Sequence, residues 1–289
     1  MNNIKSIPLP FISGKTRLMG ILGEGIGHTL SPLMHNASIQ KLGLDYLYVP
    51  FDLKAARIKP LLESLWDAGA VGFNVTVPHK ETVAEIVGAD NLRSVNTIFR
   101  GSNGWQGDST DAMGFFRGVE RLGTSIKKFR RIFILGNGGV TLGLLKELSR
   151  EFDRGLEVVI FRRQASKDQK LLAVVSSEFN IRFVDFNPAN FRREVKGHAG
   201  ESLIIQATSA PLRGDRLDEY ADGLQNFHGY VTDLVYGAPS ALFDRAKELR
   251  LPCQDGLPML IEQARESQLH WWGTQVEYEF LESVLQSVV

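Results

Sequence analysis

The run Arg131-Ile132-Phe133-Ile134-Leu135 passes through Gly136-Asn137-Gly138-Gly139 into a helix-like stretch over residues 140–150. A short apolar strand that ends in glycines and opens a helix is the start of a βαβ unit, and it restricts the chain to α/β architectures. The rest of the sequence keeps the alternation. Residues 17–23, 45–51 and 70–75 read as strands, and 54–66 as a helix with Ile58, Leu61, Leu62 and Leu65 on one face. Residues 94–100 and 104–107 form a hairpin pattern around Ser102-Asn103, followed by a helix over 110–122. Beyond the glycine turn, 157–161, 181–184, 202–206 and 230–234 are further strands. The end is helical, over 259–272 and, after a break at Gly273, 274–289. Pro32 suits a first helical position, with Ser31 as N-cap.

At 289 residues the chain is long enough for two domains. The fold class is therefore α/β with an N-terminal α/β domain and a Rossmann-type dinucleotide-binding domain, the C-terminal helices returning to the first. The expected division is 1–115 plus 256–289 against 116–255. An apolar content of 43% with 28 glycines fits a globular protein with many tight strand-to-helix turns. Lys+Arg and Asp+Glu balance at 33 each, so no net field draws the chain to nucleic acid or an anionic membrane. The single cysteine, Cys253, excludes an internal disulfide and a Cys-based zinc site, which favours a reducing compartment. Residues 1–10 carry no apolar signal core and no run is long enough to span a bilayer, so the expected location is the cytoplasm.

Two features carry chemistry. Backbone N–H groups of Gly136, Asn137, Gly138, Gly139 and Val140 can approach a pyrophosphate without an obstructing Cβ, although a glycine turn also serves as a plain βα connection. The next strand ends in Phe161-Arg162-Arg163, with no acid before Asp168. An NAD site usually carries an Asp or Glu there, whereas guanidiniums suit a 2′-phosphate, so NADP is favoured with NAD as the alternative. Solvated surface arginines are the bland reading of the same pair. Separately, the strand ending at Val75 runs through Thr76-Val77-Pro78-His79 to Lys80, and Asp111 precedes the helix over 110–122. A Lys and an Asp, each held at the end of a regular element, suit proton transfer, and with a dinucleotide they suggest hydride transfer.

These residues resemble the shikimate dehydrogenase family along almost the whole chain. His28-Thr29-Leu30-Ser31-Pro32-Leu33-Met34-His35-Asn36 is similar to the family's His-Ser-x-Ser-Pro-x-x-His-Asn segment. Asn74 to Glu81 is similar to its catalytic-lysine motif, Ser94-Val95-Asn96-Thr97 to Ala-Val-Asn-Thr, and Gly107 to Asp111 to Gly-Asp-Asn-Thr-Asp. The glycine turn resembles Gly-Ala-Gly-Gly-Ala, and Asp233-Leu234-Val235-Tyr236 with Pro239 and Met259-Leu260-Ile261-Glu262-Gln263 complete the set. The resemblance implies that Thr29 and Ser31 hold the substrate carboxylate and that Lys80 is catalytic with Asp111 as its partner. It gives Asn74, Thr76, Asn96, Tyr236 and Gln263 the remaining substrate contacts, and extends the cofactor set to Thr208, Ser209 and Met259 beside Arg162 and Arg163. It also implies a cleft that closes over a cyclic hydroxy acid, with no metal required, in a monomer or homodimer.

The chain departs from the family pattern at several places. Thr29 replaces a serine and Ser109 an asparagine, Gln206 stands where asparagine is usual, and Pro211-Leu212 replace Gly-Met. Pro258 replaces a glycine, only Arg162 remains of an Asn-Arg-Thr signature, and the stretch from Lys80 to Asn96 is shorter than in the family. The expected activity is NADP-dependent, reversible reduction of 3-dehydroshikimate to shikimate, a step of aromatic amino acid biosynthesis. Quinate or another cyclic hydroxy acid is the alternative substrate, and a non-catalytic metabolite sensor is the reading of a different class. His28, His35 and His79 are not spaced as metal ligands, and Trp271 and Trp272 read as packing residues.

Overall fold

The computed structural model of the chain describes residues 12–89, 94–152, 155–173, 175, 180–238 and 240–286. The expectations for residues 1–10, Pro239 and 287–289 lie outside these. The chain divides into two compact units, 1–110 with 261–289, and 111–260.

The first unit contains β1 (Arg17–Gly23), α1 (Ser31–Lys41), β2 (Tyr46–Asp52), α2 (Ile58–Asp67), β3 (Gly72–Val75), α3 (Lys80–Ile86), β4 (Thr97–Arg100) and β5 (Trp105–Asp108). Its five-stranded sheet has the order β2-β1-β3-β4-β5. The first three strands are parallel, and β4 and β5 add an antiparallel hairpin beside β3. Successive residues of a strand point to opposite faces. Met19 and Ile21 accordingly pack with Tyr48, Val71 and Trp271 on one face, and Leu22, Phe73 and Val75 pack with α2 on the other. The α2 side is secured by Ile58, Leu62 and Leu65, members of the expected apolar stripe.

The second unit contains α4 (Asp111–Glu120), β6 (Arg131–Leu135), α5 (Gly139–Glu151), β7 (Glu157–Arg162), α6 (Asp168–Leu172), β8 (Asn180–Asp185), α7 (Pro188–Val195), β9 (Ala199–Gln206), α8 (Asp218–Ala221), β10 (His228–Asp233), α9 (Ala241–Glu248) and β11 (Cys253–Gln254). α10 (Leu257–Trp272) starts in this unit and continues in the first, followed by α11 (Tyr278–Gln286). The six strands are all parallel in the order β11-β10-β9-β6-β7-β8. Both faces are covered. Ile132, Ile134, Val158, Ile160, Leu203 and Ile205 belong to one buried cluster, and the intervening Phe133, Leu135, Val159, Phe161 and Ile204 to the other. That is why these strands read as continuous apolar runs. The strand order reverses between β6 and β9, the place where open α/β sheets bind ligands beyond their carboxyl ends.

One local expectation is corrected. Ser31 is not the N-cap of α1: Leu30 precedes the helix with φ −89° and ψ −6°, and no side chain caps it. The chain turns helical one residue early, which makes Ser31 a buried helical residue. No helix among the described residues is long and apolar enough to cross a membrane.

Candidate active site

In the first unit, Thr29 lies in the turn entering α1, its N–H bonded to the Ile26 carbonyl at 3.0 Å. Its Oγ1 accepts the Ser31 N–H at 3.3 Å. The first N–H of α1 is thus met by Thr29, and the N-terminal dipole of the helix favours an anion beside these two hydroxyls. Lys80 is the first residue of α3, reached from β3 through a turn with a cis Val77–Pro78 bond. The Lys80 carbonyl accepts the Val95 N–H at 3.1 Å, and the Val75 N–H donates to the Asn96 carbonyl at 2.8 Å. The lysine turn and the Asn96 segment are thus laced together by main chain. Thr76 is tied to β1 by its N–H on the Leu22 carbonyl at 2.9 Å.

Asn96 is almost fully buried, and its amide is at the centre of the site. Its Nδ2 donates to Thr110 Oγ1 at 3.0 Å and to Gln263 Oε1 at 3.4 Å, and its Oδ1 accepts the Thr110 N–H at 2.7 Å. Asn74, expected as a substrate contact, is turned inward. Its Oδ1 accepts the Tyr48 hydroxyl at 2.7 Å, and its Nδ2 donates to Ser267 Oγ at 2.9 Å and Thr97 Oγ1 at 3.2 Å. Both ends of that amide are committed to the protein, so it holds the end of β3 in place. Tyr48, Thr97, Thr110 and Ser267 were not singled out from the sequence. Only Ser267, one helical turn after Gln263 on α10, carried a periodic signal.

Burial governs the protonation of this wall. It pushes the Tyr48 phenol well above its ordinary range, against a hydrogen bond with Ser31 that works the other way. Burial lowers His35 to about 3, so the imidazole stacked on Tyr48 with centroids 4.5 Å apart is neutral. Trp271, expected as a packing residue, is buried in the same cluster and donates Nε1 to the Ile98 carbonyl at 3.0 Å.

In the second unit, the glycine turn fits a pyrophosphate. Gly136 has φ +112°, a conformation that excludes a side chain, and Thr141 Oγ1 fastens its carbonyl at 2.9 Å. A Cβ on Gly138 or Gly139 would meet nothing within 4 Å, so the space in front of the first turn of α5 is open. Asn137 Nδ2 donates to the Gln164 carbonyl at 2.8 Å, fixing the loop after β7 to the turn. Arg162, at the end of β7, is not a solvated fork: Nη1 lies 2.8 Å from Asp168 Oδ2, and Nη2 lies 3.7 Å from Asp185 Oδ1. Arg163 lies 3.5 Å from Asp215 and over the Phe186 ring.

Thr208 lies against the turn, its Cγ2 3.0 Å from where a Cβ of Gly136 would sit. The departure at Gln206 has a structural role. Its Oε1 accepts the Thr208 N–H at 2.6 Å, and its Nε2 donates to Asp233 Oδ1 at 3.1 Å. Asp233, fully buried, also accepts the N–H groups of Val235 and Ser240 at 2.9 Å each. One carboxylate therefore braces the loop carrying Tyr236, whose phenol is pushed up by burial. Ser209 is exposed and takes an Arg213 hydrogen bond at 2.6 Å, and Met259 packs on the cluster around Ile134. Asp111 opens α4. Among the described residues no group of three or more His, Cys, Asp or Glu is arranged for a metal ion.

Residues 21–98 match the sequence profile of the shikimate dehydrogenase substrate binding domain. The chain is 30% identical over 297 aligned residues to the shikimate dehydrogenase (NADP(+)) of Thermosynechococcus vestitus, covering 97% of this chain and 99% of that protein. The chain belongs to the shikimate dehydrogenase family. Solved structures of the family superimpose on it. One is the shikimate dehydrogenase of Aquifex aeolicus, with a TM-score of 0.82 at 28% identity over 96% of this chain and all of that one. Another is the shikimate 5-dehydrogenase of Thermus thermophilus in complex with NADP(H) and shikimate, with a TM-score of 0.75 at 27% identity, covering 94% and 100%. As a shikimate dehydrogenase family member, the chain is an NAD(P)-dependent oxidoreductase for a shikimate-like cyclic hydroxy acid.

Proposed function

We propose that the protein reduces 3-dehydroshikimate to shikimate reversibly with NADP, and uses NAD as an alternative. The observation that carries the reading is the joining of Lys80, Asn96 and Gln263 in one hydrogen-bonded wall of the first unit. Thr29 and Ser31, at the start of α1, take the ring carboxylate. Asn96, Thr76 and Gln263 orient the ring hydroxyls, Asn74 stiffens the wall behind them, and Tyr236 is a further substrate contact. Gly136, Asn137, Gly138, Gly139 and Val140 hold the pyrophosphate through backbone N–H groups; Arg162 and Arg163 receive the ribose end, and Thr208, Ser209 and Met259 line the nicotinamide end. The bound cofactor supplies or accepts the hydride.

Lys80 donates a proton to the oxygen of the ring carbonyl as it becomes an alkoxide, and takes it back in the oxidative direction. Asp111 is the second catalytic group. Quinate is the second reading, favoured by the methyl group that Thr29 adds beside the carboxylate position. One methyl in a pocket shifts preference between close analogues by about 1–3 kcal/mol. Steady-state oxidation of shikimate and quinate with saturating NADP tests the assignment. A higher kcat/KM for shikimate is the expected result, and turnover of quinate alone would transfer the assignment to it.

A further inference from the structure

Gln206 and Asp233 are the last residues of the neighbouring parallel strands β9 and β10, directly opposite each other in register, and both are fully buried. Gln206 Oε1 accepts the Thr208 N–H at 2.6 Å, which fixes the orientation of the amide, because a backbone N–H can meet only its oxygen. Nε2 therefore directs its two hydrogens to the Thr208 carbonyl and to Asp233 Oδ1, 3.1 Å from each. Asp233 Oδ1 accepts the Val235 N–H as well, and Oδ2 accepts that of Ser240. Both donors of the amide are used, and each carboxylate oxygen is met.

Two loops meet in this pair. Residues 207–210 follow β9, anchored to β6 by the Ala207 N–H on the Leu135 carbonyl at 2.9 Å, with Thr208 against the glycine turn. Residues 234–240 follow β10 and carry Tyr236, one residue beyond the Val235 N–H that Asp233 holds. Bracing either loop alone needs less. Gln206 closes on Thr208 without Asp233, and Asp233 holds Val235 and Ser240 without Gln206. The amide-to-carboxylate bond is additional to both, and it fastens one loop to the other. Hydrogen bonds to a buried carboxylate are among the stronger ones. A shift of the Thr208 loop thus reaches the Val235 amide through a single side chain on each strand.

We propose that Gln206 is a positioning residue for the reaction: through Asp233 it ties the placement of Tyr236 to the loop beside the glycine turn. The inference rests on the reading of Tyr236 as a substrate contact, and the test separates the two. In full-length protein with saturating NADP, kcat/KM for shikimate is measured in wild type, Gln206→Met, Tyr236→Phe and the double variant. Methionine is unbranched and flexible like glutamine but has no amide. Tyr236→Phe should cost about tenfold in the wild-type background, the worth of one hydrogen bond, and under about twofold once Gln206→Met has released the loop. A Gln206 that only stabilised the fold would leave the Tyr236→Phe ratio unchanged. Equal losses in both backgrounds would overturn the coupling and leave Tyr236 as a substrate contact. No loss on Tyr236→Phe in the wild-type background would overturn that contact and the proposal together. Should the methionine variant not fold, Gln206→Glu replaces it. Its carboxyl group donates to Asp233 when protonated, keeping the link, and repels Asp233 once ionised. Asp255, its carboxyl pushed up by burial and lying in the field of Asp233, is present in every variant and cancels in the comparison. The Tyr236→Phe loss in the Gln206→Glu background should be about tenfold at about pH 6 and under about twofold at about pH 9. A loss that follows the wild-type background at both pH values would overturn the proposal.

Discussion

Lys80 and His35 show how differently two cationic side-chain types are used in one unit. Lys80 begins a helix at the end of a braced turn, and we propose that its ammonium meets the developing alkoxide. Replacing it with alanine should reduce kcat by about 10²–10⁴-fold, the usual worth of a positioned proton donor, with the fold retained. His35 has no such role. It is sealed between Tyr48 and Trp271 and stays neutral because burial lowers it from 6.5 to about 3. Since the folded-state value is depressed, the unfolded chain binds a proton that the native state refuses as the pH falls below 6.5. Stability should therefore decrease between pH 6.5 and about 3, by up to about 1.4 kcal/mol per pH unit from this group, with no contribution above that window. Urea unfolding of wild type and His35→Phe across this range would show a shallower acid slope in the variant; parallel slopes would mean the imidazole is hydrated.

At the scale of elements, β3 is held by contacts that leave no room for change. A Cβ at Gly72 would sit 2.3 Å from Trp271 Nε1 and 2.5 Å from the Ile98 carbonyl, and that indole is itself fastened to Ile98. Gly72→Ala should destabilise the protein by about 1–3 kcal/mol, read as a lower denaturation midpoint at unchanged m-value. Asn137→Ala, in contrast, should leave stability nearly intact and weaken dinucleotide binding, since it frees the 162–168 loop from the turn. The regular elements here were legible because burial writes itself into the sequence. β6 and β7 are apolar between their charged ends because helices cover both faces, and α2 shows its stripe at Ile58, Leu62 and Leu65. What the sequence did not reveal depends on side-chain meetings between distant segments. Tyr48 reaching Asn74, and Ser267 closing on both Asn74 and Thr97, join β2, β3, β4 and α10, and no local period encodes that. Ser31 looked like a cap because Pro32 follows it, but Leu30 had already turned helical. The pairing of Arg162 with Asp168 likewise depends on the path of the loop between them, a path fixed in part by Asn137.

The molecule as a whole divides two tasks between two sheets. A mixed sheet carries the lysine turn and the Asn96 amide, and an all-parallel sheet carries the glycine turn at its switch point and the arginines at the end of β7. Family membership makes this an NAD(P)-dependent oxidoreductase, and the central claim is that hydride exchange with a shikimate-like ring depends on Lys80 and not on cofactor capture by it. The direct measurement is single-turnover NADP reduction by shikimate in wild type and Lys80→Ala, with NADP affinity determined on the same preparations. A loss of at least about a hundredfold in the rate, with NADP affinity within about twofold, is the predicted result. An unchanged rate, or a variant that no longer binds NADP, would contradict the account.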